Sequence, residues 1–213
     1  LGEFIKLDTN FFLDNDSWTE LFHSRKGRSN FNKYLRHLRH KAAPLLSRYA
    51  RHGGVPVLLS TKPWTREQKD RAFQRGNHPS AHAFTEFLRE QEMGDMRGQK
   101  GMFIILPYSL LRDMPQLRIS PLGCVPQRER RPRMINDYTY SEVNPDTVRS
   151  APQEAMQWGR TLHRLLWFIF TADQRQGPVL LLSKTDLSDG FYQLPPTPSG
   201  ALKLAVSFPN LPS

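Results

Sequence analysis

The stretch from Val179 to Pro195 constrains the fold of this chain more than any other. It opens with four apolar residues, Val179–Leu182, and leads into Asp186. Asp189 follows three residues later, and then come Gly190 and an aromatic pair. A short apolar run bounded by turn-forming residues is typical of a buried β-strand. We therefore expect a strand that delivers the Asp186 carboxylate to its end, beside a turn shaped by a glycine and an aromatic ring.

A carboxylate at a strand end has two interpretations. Mg²⁺ prefers carboxylate oxygens together with waters and phosphates. Enzymes that transfer nucleotidyl groups hold two such ions about 3.5–4 Å apart, and Asp186 is well placed to bridge them. The alternative is an ordinary strand-terminating aspartate that caps the next turn, where Asp is common. The spacing alone leaves both interpretations open.

The charge of the chain indicates a polyanionic partner. The formal net charge is +10 over 213 residues, and the isoelectric point is about 10.0. This excess favours nucleic acid first and an anionic membrane surface second, and a solvated basic face is the alternative. No apolar run approaches the about 18 residues of a transmembrane helix, so we expect no membrane partner.

Length and cysteine content set broad limits. A chain of 213 residues has room for one large domain or two small ones. Cys124 is the only cysteine, which excludes a disulfide framework and a cysteine-based zinc site and fits a reducing compartment. The chain begins at Leu1 without a signal pattern, and we expect it to be a fragment of a longer polypeptide.

Hydrophobic spacing predicts helices that alternate with short strands. Residues 31–49 have helical spacing, with a kink or break at Pro44 and an end at Gly53. Thr65 and Gln68 match a capping box for a charged helix that stops near Gly76. The remaining predictions are a helix capped by Ser80, a helix over Ser150–Phe170, a basic hairpin tip at Arg128–Arg133, and strands at Val55–Leu59, Met102–Leu106, Leu117–Ile119, Gly123–Val125, Arg133–Tyr138 and Leu202–Phe208.

The order of these features resembles a known family. Lys184–Pro195 has the sequence KTDLSDGFYQLP, preceded by the helix at Ser150–Phe170 and the hairpin between Ser120 and Tyr138. The strand at Leu202–Phe208 follows without a gap. This arrangement resembles the reverse transcriptases of retroviruses and long-terminal-repeat retrotransposons. In that family the segment that Lys184–Pro195 resembles is called motif A. Glu86–Met102 resembles the first fingers helix and the strand after it, so the resemblance covers about residues 79–213.

The resemblance implies a fold and an activity. The fold is α+β, with the fingers and the first part of the palm of a right-hand polymerase in residues 79–213. Residues 1–78 precede it as a basic, mostly helical segment. The activity is synthesis of DNA from dNTPs on an RNA or DNA template-primer, with two Mg²⁺ ions in the complete enzyme. The remainder of the polymerase polypeptide is a further implied partner.

Motif A carries the implied catalytic and nucleotide-binding residues. Asp186 matches the first metal-binding aspartate, and the Leu187 carbonyl would serve the second ion. Asp189 and Gly190 match positions whose backbone N–H groups meet the incoming triphosphate. Phe191 matches the aromatic residue beneath the sugar, whose ring leaves no volume for a 2′-hydroxyl and so favours deoxynucleotides.

The hairpin carries the implied fingers residues. Arg133 lies four residues before Asp137 and matches the arginine that contacts the triphosphate, for which a bidentate, permanently charged guanidinium is suited. The fingers lysine of the family has no clear counterpart, and Arg128 or Arg130 is expected in its place. Asp137 and Asn144 match positions that contact the template.

The sequence also departs from the family pattern. Thr139 stands where many members carry arginine, and Asn136 where many carry an apolar residue, which indicates a divergent branch. No Asp-Asp pair occurs in the 213 residues, whereas the family has its second and third catalytic acids in a Tyr-x-Asp-Asp type turn. With one of three carboxylates, two-metal chemistry loses most of its rate, so we expect no polymerisation by this chain as given. The alternatives are a non-catalytic nucleic-acid-binding remnant of a truncated retroelement and, if the motif order is accidental, an unrelated basic interaction module.

The segment Arg25–Arg51 is a second basic stretch. Arg36 and Arg39 lie on a polar face of the predicted helix, and we expect them to contact the template-primer backbone with a salt-dependent affinity. A solvated face is the equal alternative. His37 and His40 are three apart, a spacing that some metal sites use, but the sequence offers no third ligand.

Overall fold

The architecture comes from a computed structural model that describes residues 2–25, 37, 39, 43–94, 97, 101–148, 158–173 and 194–208. The chain forms two compact units, one of Leu1–Val148 with Phe191–Ser213 and the other of Arg149–Gly190. The described part of the second unit is a helix, Trp158–Asp173. The described candidate site residues therefore lie in the first unit.

Short helices make up most of the described structure. They are α1 (Gly2–Asn15), α2 (Trp18–Arg25), α3 (Ala43–Arg51), α4 (Arg66–Arg75), α5 (Pro79–Ala83), a π-helical segment (Phe87–Met93), α6 (Tyr108–Leu111), α7 (Val143–Asp146), α8 (Trp158–Asp173, in the second unit) and α9 (Pro198–Lys203). Within the described ranges, no helix has the length and apolar character needed to cross a membrane.

The strands of the described residues form two small sheets. Strands β1 (Ile119–Ser120) and β4 (Ala205–Val206) pair in parallel. Strands β2 (Leu122–Gln127) and β3 (Arg130–Asn136) form an antiparallel hairpin. Because β1 and β2 are separated by a single residue, the hairpin begins directly at the parallel pair.

Two hydrophobic clusters hold the first unit together. The hairpin cluster consists of Ala81, Phe87, Leu88, Leu122 and Cys124, with Met134, Val206 and Phe208 packed against it. The helical cluster consists of Ala72, Leu117, Ile119 and Leu202, with Trp18, Trp64 and Tyr108 among its neighbours. Residues before and after position 78 contribute to the helical cluster. The predicted division into residues 1–78 and 79–213 therefore stays a prediction.

Two predictions that rest on local signals are confirmed. The Thr65 hydroxyl accepts from the Gln68 backbone N–H (3.3 Å), and the Gln68 side chain accepts from the Thr65 N–H (2.8 Å). The helix they start is α4, which ends at Arg75 with Gly76 as its C-cap, as the predicted stop near Gly76 requires. The predicted basic hairpin is also present, with its turn at Arg128 and Glu129.

The helix predicted over residues 31–49 is wrong in part. Only His37 and Arg39 are described between residues 26 and 42, and neither is helical. Helix α3 starts at Ala43 and ends at Arg51, before Gly53 with its φ of +81°. Pro44 lies in the first turn of α3, where a missing backbone N–H costs no hydrogen bond within the helix.

The strand predicted at Met102–Leu106 is absent, the strand predicted at Leu202–Phe208 is shortened, and the cap predicted at Ser80 is wrong. Residues 102–106 form neither helix nor strand, and the Ile105 N–H donates to the Asp8 carboxylate (3.0 Å) instead of a neighbouring strand. The prediction at Leu202–Phe208 fails at its start, because Thr197 caps α9 through Gly200 N–H and only Ala205–Val206 is a strand. Ser80 does not cap α5, whose N-cap is His78.

The predicted α+β class holds at the level of mixed helix and strand. The Val55–Leu59 segment forms single bridges, from Val55 to Pro196 and from Leu59 to Thr147, instead of a strand. The strand predicted at Val179 and the start of the helix predicted at Ser150 lie outside the described residues.

Candidate nucleic-acid interface

The β2–β3 hairpin turns its arginines away from the protein core. Successive residues of a strand face opposite sides, and along β3 Arg131, Arg133 and Ile135 are exposed while Met134 packs against the hairpin cluster. Val125 lies opposite Arg133 in the register and is exposed on the same face. The hairpin therefore presents a cationic face whose position is fixed by the apolar face behind it.

The hairpin tip is a two-residue turn of opposite charges. Glu129 adopts a φ of +57°, and the Arg128 and Glu129 side chains are 95% and 86% exposed. Their closest charged atoms, Arg128 Nε and Glu129 Oε1, lie 3.8 Å apart. An ion pair this exposed contributes little to stability. Arg128 is therefore available to a partner from solution, as is Arg130, which is also exposed.

Asp137, the predicted template contact, is engaged within the protein at the base of the hairpin. Its Oδ2 lies 3.0 Å from His78 Nε2, and its Oδ1 accepts from the Tyr140 backbone N–H at 3.0 Å. Its own N–H donates to the Pro121 carbonyl. These contacts make Asp137 an organiser of the turn after β3, and each of its carboxylate oxygens has a partner within the protein.

Asn144, the other predicted template contact, lies in the exposed first turn of α7. Its Nδ2 donates to Thr139 Oγ1 at 3.0 Å, and its backbone N–H donates to the Tyr138 carbonyl at 3.1 Å. Thr139, which stands where many members of the resembled family carry arginine, therefore supports the Asn144 side chain.

A cluster that the sequence did not predict adjoins Asp137. The Arg75 guanidinium carbon lies 4.2 Å from the centroid of the Tyr140 ring, within the range of cation–π contacts. The same ring meets His78 edge-on, with centroids 5.7 Å apart. Tyr140 remains 53% exposed. Helix α4 supplies Arg75 and the turn after β3 supplies Tyr140, so only the fold brings these residues together.

Arg118 anchors the segment that carries Tyr140 and Asn144. It is buried, and its Nη1 donates to the Ser141 carbonyl and to Asp146 Oδ2, each at 3.3 Å. Its Nη2 donates to Thr61 Oγ1 at 2.6 Å, and its guanidinium lies over the Trp64 ring. The buried Arg118 guanidinium thus holds Ser141 and Asp146, which follow β3, close to the start of β1.

Two lysines of the first unit also donate hydrogen bonds to backbone carbonyls within the protein. Burial lowers the pKa of Lys69, whose Nζ donates to the Arg112 and Met114 carbonyls at 3.1 and 2.7 Å. Burial, together with repulsion from Arg118, lowers the pKa of Lys203, whose Nζ donates to the Val57 carbonyl at 2.7 Å. These cations are committed to backbone carbonyls, so they do not belong to the surface that faces a polyanion.

The part of the predicted motif A that carries its site residues lies outside the described residues. This holds for Asp186, Leu187, Asp189, Gly190 and Phe191, and also for Arg36 of the basic segment. Arg39 is described and exposed, outside any helix or strand. In the part of the chain that is described, no three His, Cys, Asp or Glu side chains group closely enough to hold a metal ion.

Comparison with known proteins adds no relative. No family model, no curated protein and no solved structure matches this chain. The function is therefore inferred from the motifs of the chain itself and from the geometry of the hairpin.

Proposed function

We propose that this chain is part of a retroelement reverse transcriptase and contributes fingers and palm residues to DNA synthesis from dNTPs on a template-primer. The observation that carries the proposal is the β2–β3 hairpin. Its arginines Arg128, Arg130 and Arg133 are exposed, while Met134, which follows Arg133, packs against the hairpin cluster. A rigid strand pair that holds guanidinium groups in solvent is suited to phosphate, which guanidinium binds in a bidentate manner.

The proposed roles follow the resemblance. Arg133 contacts the triphosphate of the incoming nucleotide, and Arg128 or Arg130 replaces the fingers lysine at the tip. Asp189, Gly190 and Phe191 complete the nucleotide site. Asp186 and the Leu187 carbonyl would hold the two Mg²⁺ ions of the complete enzyme, and these ions supply Lewis-acid chemistry at the phosphates.

Non-catalytic binding of nucleic acid is the second candidate. The 213 residues contain no Asp-Asp pair, and the cationic hairpin alone suffices for contact with a phosphate backbone. The two candidates differ in their response to nucleotide. A dNTP complementary to the next template base should raise the affinity of a polymerase for primed template, whereas it should leave the affinity of a remnant unchanged.

The binding step is tested on the hairpin itself. In a triple variant, Arg128→Gln, Arg130→Gln and Arg133→Gln, we expect weaker binding to a fluorescent primed template in an anisotropy titration. Each lost phosphate contact lowers the slope of log affinity against log salt by about 0.7–0.9, so the slope should fall by about 2.

A matched control removes the same charge elsewhere. Lys6, Lys62 and Arg66 are exposed on α1, on the segment before α4 and on α4. Their replacement by Gln should leave the salt slope within error of the unaltered chain. Equal losses in the two triple variants would show that net charge, and not the hairpin, attracts the nucleic acid, and would refute the proposed site.

A further inference from the structure

The cationic face of the hairpin continues past its base onto His78. Gly123 lies opposite Ile135, on the face that carries Val125 and Arg133. A Cβ placed on Gly123 would lie 3.7 Å from His78 Cδ2 and 4.0 Å from Ile135 Cβ. The His78 ring therefore covers the base of the same face from which the arginines project.

The surface then passes from His78 to the cation–π pair of Tyr140 and Arg75. We call Arg75, His78 and Tyr140 the Tyr140 platform. Asp137 fixes it from two sides, since its carboxylate contacts His78 Nε2 and accepts from the Tyr140 N–H, each at 3.0 Å. Asp137 follows Arg133 by four residues, which corresponds to about 13 Å of strand. A short stretch of extended polymer can thus contact the hairpin arginines and the platform together.

The chemistry of the platform selects among polyanions. A polyphosphate or a duplex backbone needs charge alone, whereas this surface adds a half-exposed phenol ring with a guanidinium over it, its carbon 4.2 Å from the ring centroid. Flat π-surfaces beside cations are the means by which proteins bind unpaired bases, because every base offers a face for stacking. The exposed Val125, opposite Arg133, and Ile135, two residues beyond it toward the platform, add apolar contact for a base or sugar.

We propose that the Tyr140 platform stacks an unpaired base of single-stranded nucleic acid while Arg133 and its neighbours on the hairpin contact the phosphates. This inference rests on the proposed function, because it names the strand that the cationic hairpin holds. It adds a contribution from α4, since Arg75 precedes the part of the chain that resembles the polymerase family.

The test separates stacking from charge in the complete 213-residue chain. Two fluorescent probes are used, a single-stranded oligo-dT and an abasic oligonucleotide of equal length and charge. Tyr140→Ala should lower the affinity for oligo-dT by between about 5-fold and 150-fold, the range that one stacked base contributes. Its affinity for the abasic probe and its salt slope should match those of the unaltered chain.

Two conservative variants complete the test. Tyr140→Phe keeps the ring and should bind oligo-dT like the unaltered chain. Arg75→Lys keeps the charge but removes the planar guanidinium, so it should lose affinity for oligo-dT at an unchanged salt slope. Urea unfolding midpoints equal to that of the unaltered chain show that each variant is folded, and a Tyr140→Ala chain that is destabilised is replaced by Tyr140→Leu.

The outcomes are distinguishable from those of the hairpin experiment. If the hairpin variant weakens binding while Tyr140→Ala binds oligo-dT normally, the platform inference is wrong and the proposed function stands. Equal losses of Tyr140→Ala on the oligo-dT and abasic probes also overturn it, since no base is then being stacked. If the unaltered chain binds primed template but neither single-stranded probe, the platform inference is wrong and the proposed function stands. If it does not bind primed template either, both proposals fail.

Discussion

Asp8 shows how strongly a single residue can determine this fold. Its carboxylate is fully buried and accepts hydrogen bonds from Arg25 Nε (3.0 Å), Arg97 Nε (2.9 Å) and the Ile105 N–H (3.0 Å). A buried charge is tolerated only when it is paired and hydrogen-bonded. Asp8 therefore joins α1 to α2 and to the segment around Ile105.

Removal of the Asp8 charge should destabilise the first unit severely. Asp8→Asn keeps the shape of the side chain but leaves Arg25 and Arg97 without their counter-charge, and breaking a buried pair in this way costs about 3–5 kcal/mol. The free energy of unfolding, measured with urea, should fall by this amount. Asp14→Asn, on the exposed side of the same helix, should change it by less than about 0.5 kcal/mol. A loss below about 1 kcal/mol for Asp8→Asn would contradict the network.

At the scale of helices and strands, two features that depend on neighbouring residues were predicted correctly. The capping box at Thr65 and the hairpin between β2 and β3 depend on residues close in sequence, and both were predicted. The strand at Met102–Leu106 was wrong because its partner is Asp8, which lies far away along the chain. Apolar content alone does not reveal whether a segment will find a neighbouring strand.

The capping box provides a prediction at this scale. Thr65→Ala removes the oxygen that accepts from Gln68 N–H at the start of α4. Such a loss costs about 0.5–2 kcal/mol, and it should appear in global unfolding because Ala72 of the same helix lies in the helical cluster. The measurement is again the free energy of unfolding in urea. Thr65→Ser retains the hydroxyl and should recover most of the stability, and an equal loss in both variants would show that the cap is not responsible.

Across the whole molecule, the sequence predicted a cationic surface but not which cations form it. The net charge of +10 indicated a polyanionic partner, and Arg128 and Arg133 lie exposed on the predicted hairpin. Arg118 and Lys69, in contrast, are buried and bind internal acceptors. Burial is a property of the folded chain, so composition cannot separate these groups.

The Tyr140 platform was missed for a related reason. Arg75 belongs to α4, and Tyr140 follows β3, so no local spacing connects them. Tyr140 has no neighbouring aromatic pattern beyond Tyr138, and an isolated tyrosine in a turn predicts nothing by itself. The arginines of the hairpin were thus predictable from the sequence of the hairpin itself. The contact between Arg75 and Tyr140 was not, because it joins two elements that are distant in the sequence.

The last prediction concerns catalysis by the chain as a whole. In the resembled family, three carboxylates hold the two metal ions, and the 213 residues contain Asp186 but no Asp-Asp pair. Because the second ion would be poorly held, we expect no extension of a labelled primer on an RNA template with dNTPs and Mg²⁺. Asp186→Asn is the matched control, since it removes the carboxylate and changes little else. Template-dependent extension by the unaltered chain above the level of Asp186→Asn would refute this prediction, and it would mean that acids outside motif A complete the metal site.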